Sequence, residues 1–352
     1  MDESHCIYCI RQNFSDEHYL PVCLGRFRGY EELRGKVCTE CNGKCGRLDE
    51  QLCRSSSAGF FRHYLGIKGR KKHKNKPSPF YRGSAGGHRI SFKGESLETG
   101  KTVELEYRDG EPMPLRHMLI TTEDNSSYVL PITQDMKEPS QLKVAFKRLV
   151  GDKRANAEIY CAPHEQEWLK HLLTGLKFER QGPWTVEEGP TSFNKTEINF
   201  VVTDRFFRCL AKIGFHHLLQ RMPQFTGHEE EFRDIRKFIV EEGPLDRCNR
   251  FVSLRPVQLI LALQQGARLN RWGHLVAAHA DYLKLTASVQ LFVGPECLAP
   301  IYEISIGRNP SRVAYTQDEG SFFFYYPQEE RADYDGEVEH LQCAVSIVRG
   351  ER

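Results

Sequence analysis

The spacing of apolar residues beyond residue 94 predicts a mixture of strands and helices. Apolar and polar residues alternate over 102–107, and Asp109-Gly110 follows as a turn signal, which together indicate a strand. Leucines and Trp168 recur at helical spacing over 165–176, which predicts an amphipathic helix. A second strand is predicted over 196–202, so this stretch has the pattern of an α+β domain.

The last third of the chain continues the same mixed pattern. Helices are predicted over 203–220 and 229–242, and strands over 257–263, 283–293 and 302–306. Thr203 or Asp204 can cap the first of these helices. Its apolar side carries Phe206, Leu210 and Ile213. We expect the helices to pack on a mostly antiparallel sheet.

The first 60 residues are rich in cysteine and have few long apolar patterns. Seven of the 12 cysteines in the chain fall within the first 53 residues: Cys6, Cys9, Cys23, Cys38, Cys41, Cys45 and Cys53. The other five are scattered singly, which is typical of small buried apolar side chains: Cys161, Cys209, Cys248, Cys297 and Cys343. The N-terminus is acidic and polar, unlike a secretory signal, so the clustered cysteines favour a metal site over a disulfide framework.

Two Cys-x-x-Cys pairs predict a structural zinc site. Cys6-Ile-Tyr-Cys9 and Cys38-Thr-Glu-Cys41 are separated by 28 residues, and four thiolates at such spacing suit tetrahedral Zn²⁺ in a closed, structural site. Cys45 lies one helical turn after Cys41 and is the alternative fourth ligand, but Cys41 completes the better-formed pair. Because so short a module cannot build an adequate core alone, zinc binding is expected to supply much of its folding free energy.

The residues around the two pairs carry a further set of motifs. Ser15-Asp-Glu-His-Tyr-Leu-Pro21 lies between the pairs, and Cys41-Asn-Gly-Lys-Cys-Gly46 follows from the second pair. This arrangement over residues 4–55 resembles the HNH family of nucleases, which have a ββα-metal fold. It is most similar to the subgroup with Glu-His-x-x-Pro and Cys-x-x-Cys-Asn. The resemblance implies a metal-dependent endonuclease that hydrolyses phosphodiester bonds in nucleic acid, with DNA the expected substrate.

The resemblance also implies roles for single residues. His18 would be the general base that takes a proton from the attacking water, and its ordinary pKa of about 6.5 suits that role. Glu17 and Asn42 would bind the catalytic cation, and their oxygen atoms suit Mg²⁺ or Mn²⁺. Asp16 is the alternative acidic ligand, and Glu17 is favoured because it directly precedes the histidine. Since neighbouring side chains of a strand point to opposite faces, Glu17 and His18 can share a site only where the strand bends or bulges.

One position departs from the family pattern. The middle motif residue, usually an asparagine, falls near Gly35-Lys36. Its role in bracing the loop and orienting the histidine would have to pass to backbone groups or to Asn13. Asn42 also has an alternative role, as the cap of a helix that begins near Thr39.

Basic residues near and beyond the module are candidates for contact with phosphate. Residues 62–93 contain no acidic side chain, and prolines and glycines there disfavour regular elements, so 61–93 is interpreted as a linker. Nucleic-acid contacts are predicted for Lys44, Arg47, Arg70, Lys71, Lys72 and Lys74. A solvated helix face and a solvated loop are the alternatives, and the formal net charge of +2 for the whole chain does not decide between them.

These patterns predict three parts: a nuclease module over 1–60, a basic linker over 61–93, and an α+β domain over 94–352. The last part would recognise the target, sense a signal or dimerise.

No apolar run is long enough to span a membrane, which together with the polar N-terminus predicts a cytoplasmic protein. A single module cuts one strand, so a double-strand break would require a homodimer or two events. The alternative function is a zinc-dependent nucleic-acid-binding protein whose module does not cleave.

Overall fold

The structure of the chain is a computed structural model. The described residues are 5–25, 27, 32–65, 67, 91–97, 100, 102–108, 111–114, 116–132, 136–160, 166–174, 176, 193–199, 202–254, 272–293, 300–311, 320–326 and 337–343. Three groups of predicted features lie outside these ranges: the strand over 257–263, the scattered cysteines Cys161 and Cys297, and most of the linker with its basic residues Arg70, Lys71, Lys72 and Lys74.

The chain divides into two compact units. One combines Met1–His73 with Val202–Arg352, and the other comprises Lys74–Val201. Each unit has its own hydrophobic cluster. The first unit therefore joins the cysteine-rich N-terminal residues to the C-terminal part of the chain in one core.

The first unit begins with a β-hairpin that runs directly into a helix. Its elements are β1 (Phe14–His18), β2 (Glu32–Cys38), α1 (Thr39–Ser55) and α2 (Ser57–Tyr64). The strands are antiparallel, with His18 opposite Glu32. Cys38 caps α1, because its sulfur accepts a hydrogen bond from the backbone N–H of Cys41, so Asn42 is not the cap. The order of elements is therefore ββα.

The hairpin contains an irregularity between Ser15 and Glu17. Their partners on β2 are Val37 and Leu33, so two steps along β1 match four along β2. Gly35 lies in this longer segment of β2 with φ of +65°, a backbone conformation that favours glycine. A bulge of this kind bends the hairpin beside the predicted site.

Among its described residues, the second unit contains two small antiparallel sheets and two helices. Its strands are β3 (Ser91–Ser96), β4 (Thr102–Arg108), β5 (Glu111–Pro114), β6 (His117–Thr122), β7 (Ser127–Pro131), β8 (Ala155–Tyr160) and β9 (Phe193–Asn199), and its helices are α3 (Pro139–Val150) and α4 (Gln166–Leu173). The strand orders are β5-β4-β3-β9 and β7-β6-β8. The predicted strand at 102–107 and the helix within 165–176 are confirmed, whereas the strand predicted at 196–202 begins and ends earlier.

A six-stranded sheet and two further helices complete the described part of the first unit. The helices are α5 (Asp204–Arg221) and α6 (Arg233–Val240), and the strands are β10 (Val252–Leu254), β11 (Gly273–Ala280), β12 (Lys284–Val293), β13 (Tyr302–Arg308), β14 (Gly320–Tyr326) and β15 (Glu337–Cys343). The strand order is β10-β13-β12-β11-β14-β15, with antiparallel pairs throughout. Both predicted helices and the strands predicted at 283–293 and 302–306 are confirmed, as is the mixed α+β class.

α5 is buried on nearly all sides, beyond the apolar side that its sequence pattern predicts. All residues from 208 to 219 are buried, including Lys212, His216 and His217. The helix contacts α1 and β2 as well as β11, β12 and β13. We refer to β1, β2, α1 and α2 together as the hairpin module. α5 is therefore the central helix of the unit, because it packs against both the hairpin module and the six-stranded sheet. None of the described helices, α5 included, is long and apolar enough to cross a membrane.

The cysteines outside the two Cys-x-x-Cys pairs have different roles. Cys23, in the turn after β1, forms a disulfide with Cys53 of α1, a bond that the sequence pattern did not predict. Their Cα atoms are 6.3 Å apart, within the usual range for disulfides. Cys209 and Cys248 are buried free thiols, as predicted for scattered cysteines. The disulfide ties the loop that follows β1 to the helix α1.

Candidate metal centre

The four cysteines of the two pairs lie together. The sulfur atoms of Cys6, Cys9, Cys38 and Cys41 are all within 4.8 Å of one another. The Cys9 sulfur is 3.6 Å from that of Cys38 and 3.7 Å from that of Cys41. Sulfur atoms around a tetrahedral Zn²⁺ are about 3.8 Å apart, so the donor set fits zinc. The cluster is also largely buried, which suits a closed structural site.

Local backbone geometry places the two pairs. The first lies in the turn before β1, where the backbone N–H of Tyr8 donates to the sulfur of Cys6 at 3.4 Å. The second lies where β2 passes into α1, and the backbone N–H of Cys41 donates to the sulfur of Cys38 at 3.5 Å. Hydrogen bonds of this kind favour the thiolate form that zinc requires. The alternative ligand, Cys45, is fully buried and lies outside the cluster.

Zinc binding at these thiols is linked to pH. Burial raises the pKa of the Cys6 and Cys41 thiols above the ordinary value for cysteine. Burial alone would also raise the pKa of the Cys38 thiol, but hydrogen bonds from the backbone of Cys41 and from neighbouring thiols outweigh it and lower that pKa. Because zinc binds thiolates, binding must release the protons, and the affinity is expected to fall in acid.

Glu17 and His18, neighbours at the end of β1, have different surroundings. The Glu17 side chain is 3% exposed, and its Oε1 lies 2.8 Å from Nζ of Lys212 on α5. His18 is half-buried, and its backbone carbonyl accepts a hydrogen bond from the same ammonium at 2.6 Å. The carboxylate of Glu17 is therefore directed into the interior and paired with Lys212.

Asn42 connects the first turn of α1 to β1. Its Nδ2 donates to Oγ of Ser15 at 2.9 Å and to the backbone carbonyl of Asp16 at 2.8 Å. These bonds use the amide NH₂ and leave Oδ1, the atom that the resemblance assigns to the cation, as an acceptor. The side chain of Asp16 is exposed, unlike that of Glu17. Asn42 therefore lies beside the strand that carries His18, next to the exposed acidic residue.

Backbone hydrogen bonds brace the hairpin near Gly35 and Lys36. The carbonyl of Lys36 accepts a hydrogen bond from the backbone N–H of Ile7 at 3.0 Å. The carbonyl of Asn13 accepts from the backbone N–H and the hydroxyl of Thr39, at 3.0 and 3.1 Å. These bonds connect the first Cys-x-x-Cys pair to β2, and the residue just before β1 to the start of α1. Farther along α1, Lys44 and Arg47 are both exposed.

A buried cation, Lys212, joins α5 to the hairpin module. Its Nζ lies 2.9 and 3.1 Å from the two carboxylate oxygens of Asp49 on α1, besides its contacts with Glu17 and His18. Burial alone would lower the pKa of Lys212, but the carboxylates of Asp49 and Glu17 outweigh it and raise that pKa above its ordinary value. Lys212 is therefore charged at neutral pH, and oxygen atoms from both β1 and α1 surround it.

His216, one helical turn after Lys212, lies between Glu17 and Tyr8 of the first Cys-x-x-Cys pair. Its Nε2 is 2.6 Å from the hydroxyl of Tyr8, which lies between the first two cysteines. Its Nδ1 is 3.9 Å from Oε1 of Glu17. Burial, together with the nearby charge of Lys212, lowers the pKa of His216, so its ring is neutral at neutral pH. We refer to Tyr8, Glu17, Asp49, Lys212 and His216 as the buried polar cluster.

The spacing of basic residues and histidine along α5 is a sequence signal for the Lys212 and His216 part of this cluster. Arg208, Lys212 and His216 are spaced four residues apart and share one face of α5. That face would be exposed if the helix had a single apolar side. Its burial depends on α1, β2 and α6, which pack against α5 through contacts between residues distant in the sequence.

No protein-family model matches this chain, and no curated protein or solved structure matches it either. What the structure shows is a four-cysteine cluster that could hold zinc, at the base of a ββα unit that packs against α5.

Proposed function

We propose that this chain is a metal-dependent endonuclease that hydrolyses phosphodiester bonds, with DNA as its substrate. The observation that carries the proposal is the ββα order of β1, β2 and α1 with a four-cysteine cluster at its base. This is the arrangement that the resemblance to HNH nucleases implies. His18 ends β1 and Asn42 lies in the first turn of α1, on neighbouring elements that are joined by hydrogen bonds.

In this proposal Asp16, rather than Glu17, supplies the carboxylate ligand of the catalytic cation. Glu17 is buried against Lys212, whereas Asp16 is exposed and its backbone carbonyl is bonded to Asn42. A carboxylate oxygen and the Oδ1 of Asn42 are hard donors that suit Mg²⁺ or Mn²⁺. When bound, the cation would neutralise charge on the scissile phosphate and on the leaving oxygen.

The chain's own residues supply the remaining chemistry. His18 takes the proton from a water molecule as that water attacks phosphorus in line with the leaving 3′ oxygen. The products would carry a 5′ phosphate and a 3′ hydroxyl. Exposed Lys44 and Arg47 on α1 would contact phosphates of the bound strand. Four basic residues of the linker would add to this contact: Arg70, Lys71, Lys72 and Lys74.

Two observations favour a second candidate, a zinc-dependent nucleic-acid-binding protein that does not cleave. Lys212 neutralises the acidic residue directly beside His18, and the middle motif asparagine is absent. Such a protein would bind duplex DNA with the strong salt dependence of phosphate contacts and leave the strands intact under every divalent cation.

Nicking of supercoiled plasmid separates the two candidates. The wild type should nick in Mg²⁺ or Mn²⁺ and not in a chelator, and His18→Ala should be slower by about 100- to 10,000-fold because a general base is lost. His171→Ala, an exposed histidine of α4, is the matched control and should nick at the wild-type rate. Binding without nicking in any divalent cation would favour the second candidate, and equal nicking by His18→Ala would exclude His18 as the base.

The choice of carboxylate is tested by Asp16→Asn and Glu17→Gln. Asp16→Asn should slow nicking and raise the Mg²⁺ concentration needed for half-maximal rate, because one charged ligand is lost. Glu17→Gln should leave that concentration within about twofold of wild type, since its carboxylate pairs with Lys212. The reverse pattern would assign the cation to Glu17.

A further inference from the structure

The ammonium of Lys212 holds the backbone of the proposed base. It donates to the carbonyl oxygen of His18 at 2.6 Å, the shortest of its contacts with the hairpin module. That carbonyl lies at the last residue of β1, which is paired with Glu32 of β2. Because the strand pairing ends there, the contact from α5 adds to it in holding the backbone of His18.

The position of the ammonium is itself fixed from two sides. Glu17 on β1 and Asp49 on α1 both pair with it, and Lys212 is fully buried. The carbonyl of His18 is therefore held at a set place relative to α1, the helix that carries Asn42. A buried ion pair is weak evidence for stability, because apolar residues of similar volume often serve as well. What such residues cannot supply is a donor for a specific carbonyl.

α5 also contacts the first Cys-x-x-Cys pair. His216 lies beside Lys212 on the same face of α5 and contacts the hydroxyl of Tyr8 in the first Cys-x-x-Cys pair. The backbone of that pair is in turn bonded to β2. α5 thus contacts the hairpin at the candidate base and at the zinc-binding turn.

We propose that Lys212 is a positioning residue of the nuclease site, which orients His18 through its backbone carbonyl. It follows that the site is not confined to the first 60 residues, because α5, from the C-terminal part of the chain, completes it. This inference rests on the proposed nuclease function. It adds that the catalytic rate depends on a residue almost 200 positions away from the base in sequence.

The test compares Lys212→Met with Arg208→Met in the full-length protein. Arg208 is the matched control, because it is a buried cation on the same face of α5 that also bonds a carboxylate and a carbonyl, those of Asp204 and Ile239. Lys212→Met should lower kcat by about 10- to 100-fold with KM within about twofold of wild type, as expected for a misplaced base. Arg208→Met should keep the wild-type kcat per folded, zinc-loaded molecule.

A second variant guards against loss of folding. Lys212→Met leaves two carboxylates without their cation, so the double variant Glu17→Gln/Lys212→Met removes one of those charges and should fold with a full complement of zinc. It should still show the lowered kcat, because the carbonyl of His18 has lost its donor. A double variant with full zinc and wild-type kcat would overturn the proposal.

The NMR signal of the His18 ring reports the position of the side chain whether or not the protein cleaves DNA. In ¹³C-histidine-labelled protein, the ring signal of His18, assigned by its loss in His18→Ala, should be single in wild type and in Arg208→Met. It should be shifted or broadened in the Lys212 variants. If the wild type does not cleave, the proposed function fails, while this signal still decides whether Lys212 positions the side chain. An unchanged signal in the double variant would show that it does not.

Discussion

At the scale of single residues, His274 shows how burial commits a histidine to one protonation state. Its Nδ1 accepts a hydrogen bond from the backbone N–H of Phe292 at 3.1 Å, so Nε2 carries the proton and donates to the carbonyl of Leu24 at 3.0 Å. Burial lowers the pKa of His274 to about 4, although the bond to Leu24 partly offsets this. The neutral ring links β11 to the turn that follows β1, so it joins the sheet to the hairpin module.

This arrangement predicts acid sensitivity. The unfolded chain protonates His274 below about pH 6.5, whereas the folded chain does so only near pH 4, so stability is full above pH 6.5 and declines between these values. The loss attributable to this residue is on the order of 3 kcal/mol. Urea unfolding of wild type and His274→Gln at several pH values measures it, since glutamine can keep both hydrogen bonds. Equal pH slopes for the two proteins would contradict the assignment.

At the scale of elements, α5 organises the first unit because it packs on both the module and the sheet. Gly214 marks its closest approach to the sheet, since an added Cβ would lie 2.9 Å from the Cβ of Ala287 and 3.0 Å from Cγ1 of Ile304. Neither neighbour is the end of a long flexible side chain that could move aside. The glycine is thus required by packing, against the general preference of helices for alanine.

Gly214→Ala should therefore destabilise the protein by about 1–2 kcal/mol, because overpacking outweighs the gain in helix propensity. Gly46→Ala on α1 is the matched control. Gly46 is exposed with nothing within 4 Å of its added Cβ, so the same change should stabilise by about 0.5–1 kcal/mol. Thermal unfolding of both variants gives the two signs, and a stabilising Gly214→Ala would contradict the close packing of α5 on the sheet.

At the scale of the whole molecule, the four-cysteine cluster and α5 belong to one core. The hydrophobic cluster of the first unit includes Cys6 and Cys38 as well as Leu210 and Phe215 of α5. A separate cluster serves the second unit. Loss of zinc from this cluster should therefore loosen α5 even though the helix holds no ligand, because the metal is expected to supply much of the module's folding free energy.

Hydrogen exchange before and after addition of a strong zinc chelator tests this coupling. Amides of α5 should exchange much faster without zinc, whereas amides of α3 in the second unit should keep their protection. Cys38→Ser should reproduce the effect of the chelator. Unchanged protection of α5 would mean that the module and α5 fold independently.

Local patterns in the sequence predicted more of the elements than of their assembly. The paired cysteines, the strand over 102–107 and the helix from residue 204 all follow from short-range spacing, and the structure contains them. The burial of Lys212 and its pairing with Glu17 do not, because they depend on contacts between residues nearly 200 apart. The Cys23–Cys53 disulfide was missed for a related reason, since its geometry is set by the docking of a loop on α1.

Chemical rescue tests most directly whether His18 is the base of a metal-dependent nuclease. The plasmid-nicking rate of His18→Gly in Mg²⁺ is measured as imidazole is added, with Glu17→Gln as a control that keeps the histidine. We expect His18→Gly to be very slow and its rate to rise with imidazole concentration, and we expect no such rise for the control. A variant as fast as wild type without imidazole, or a wild type that never nicks, would contradict it.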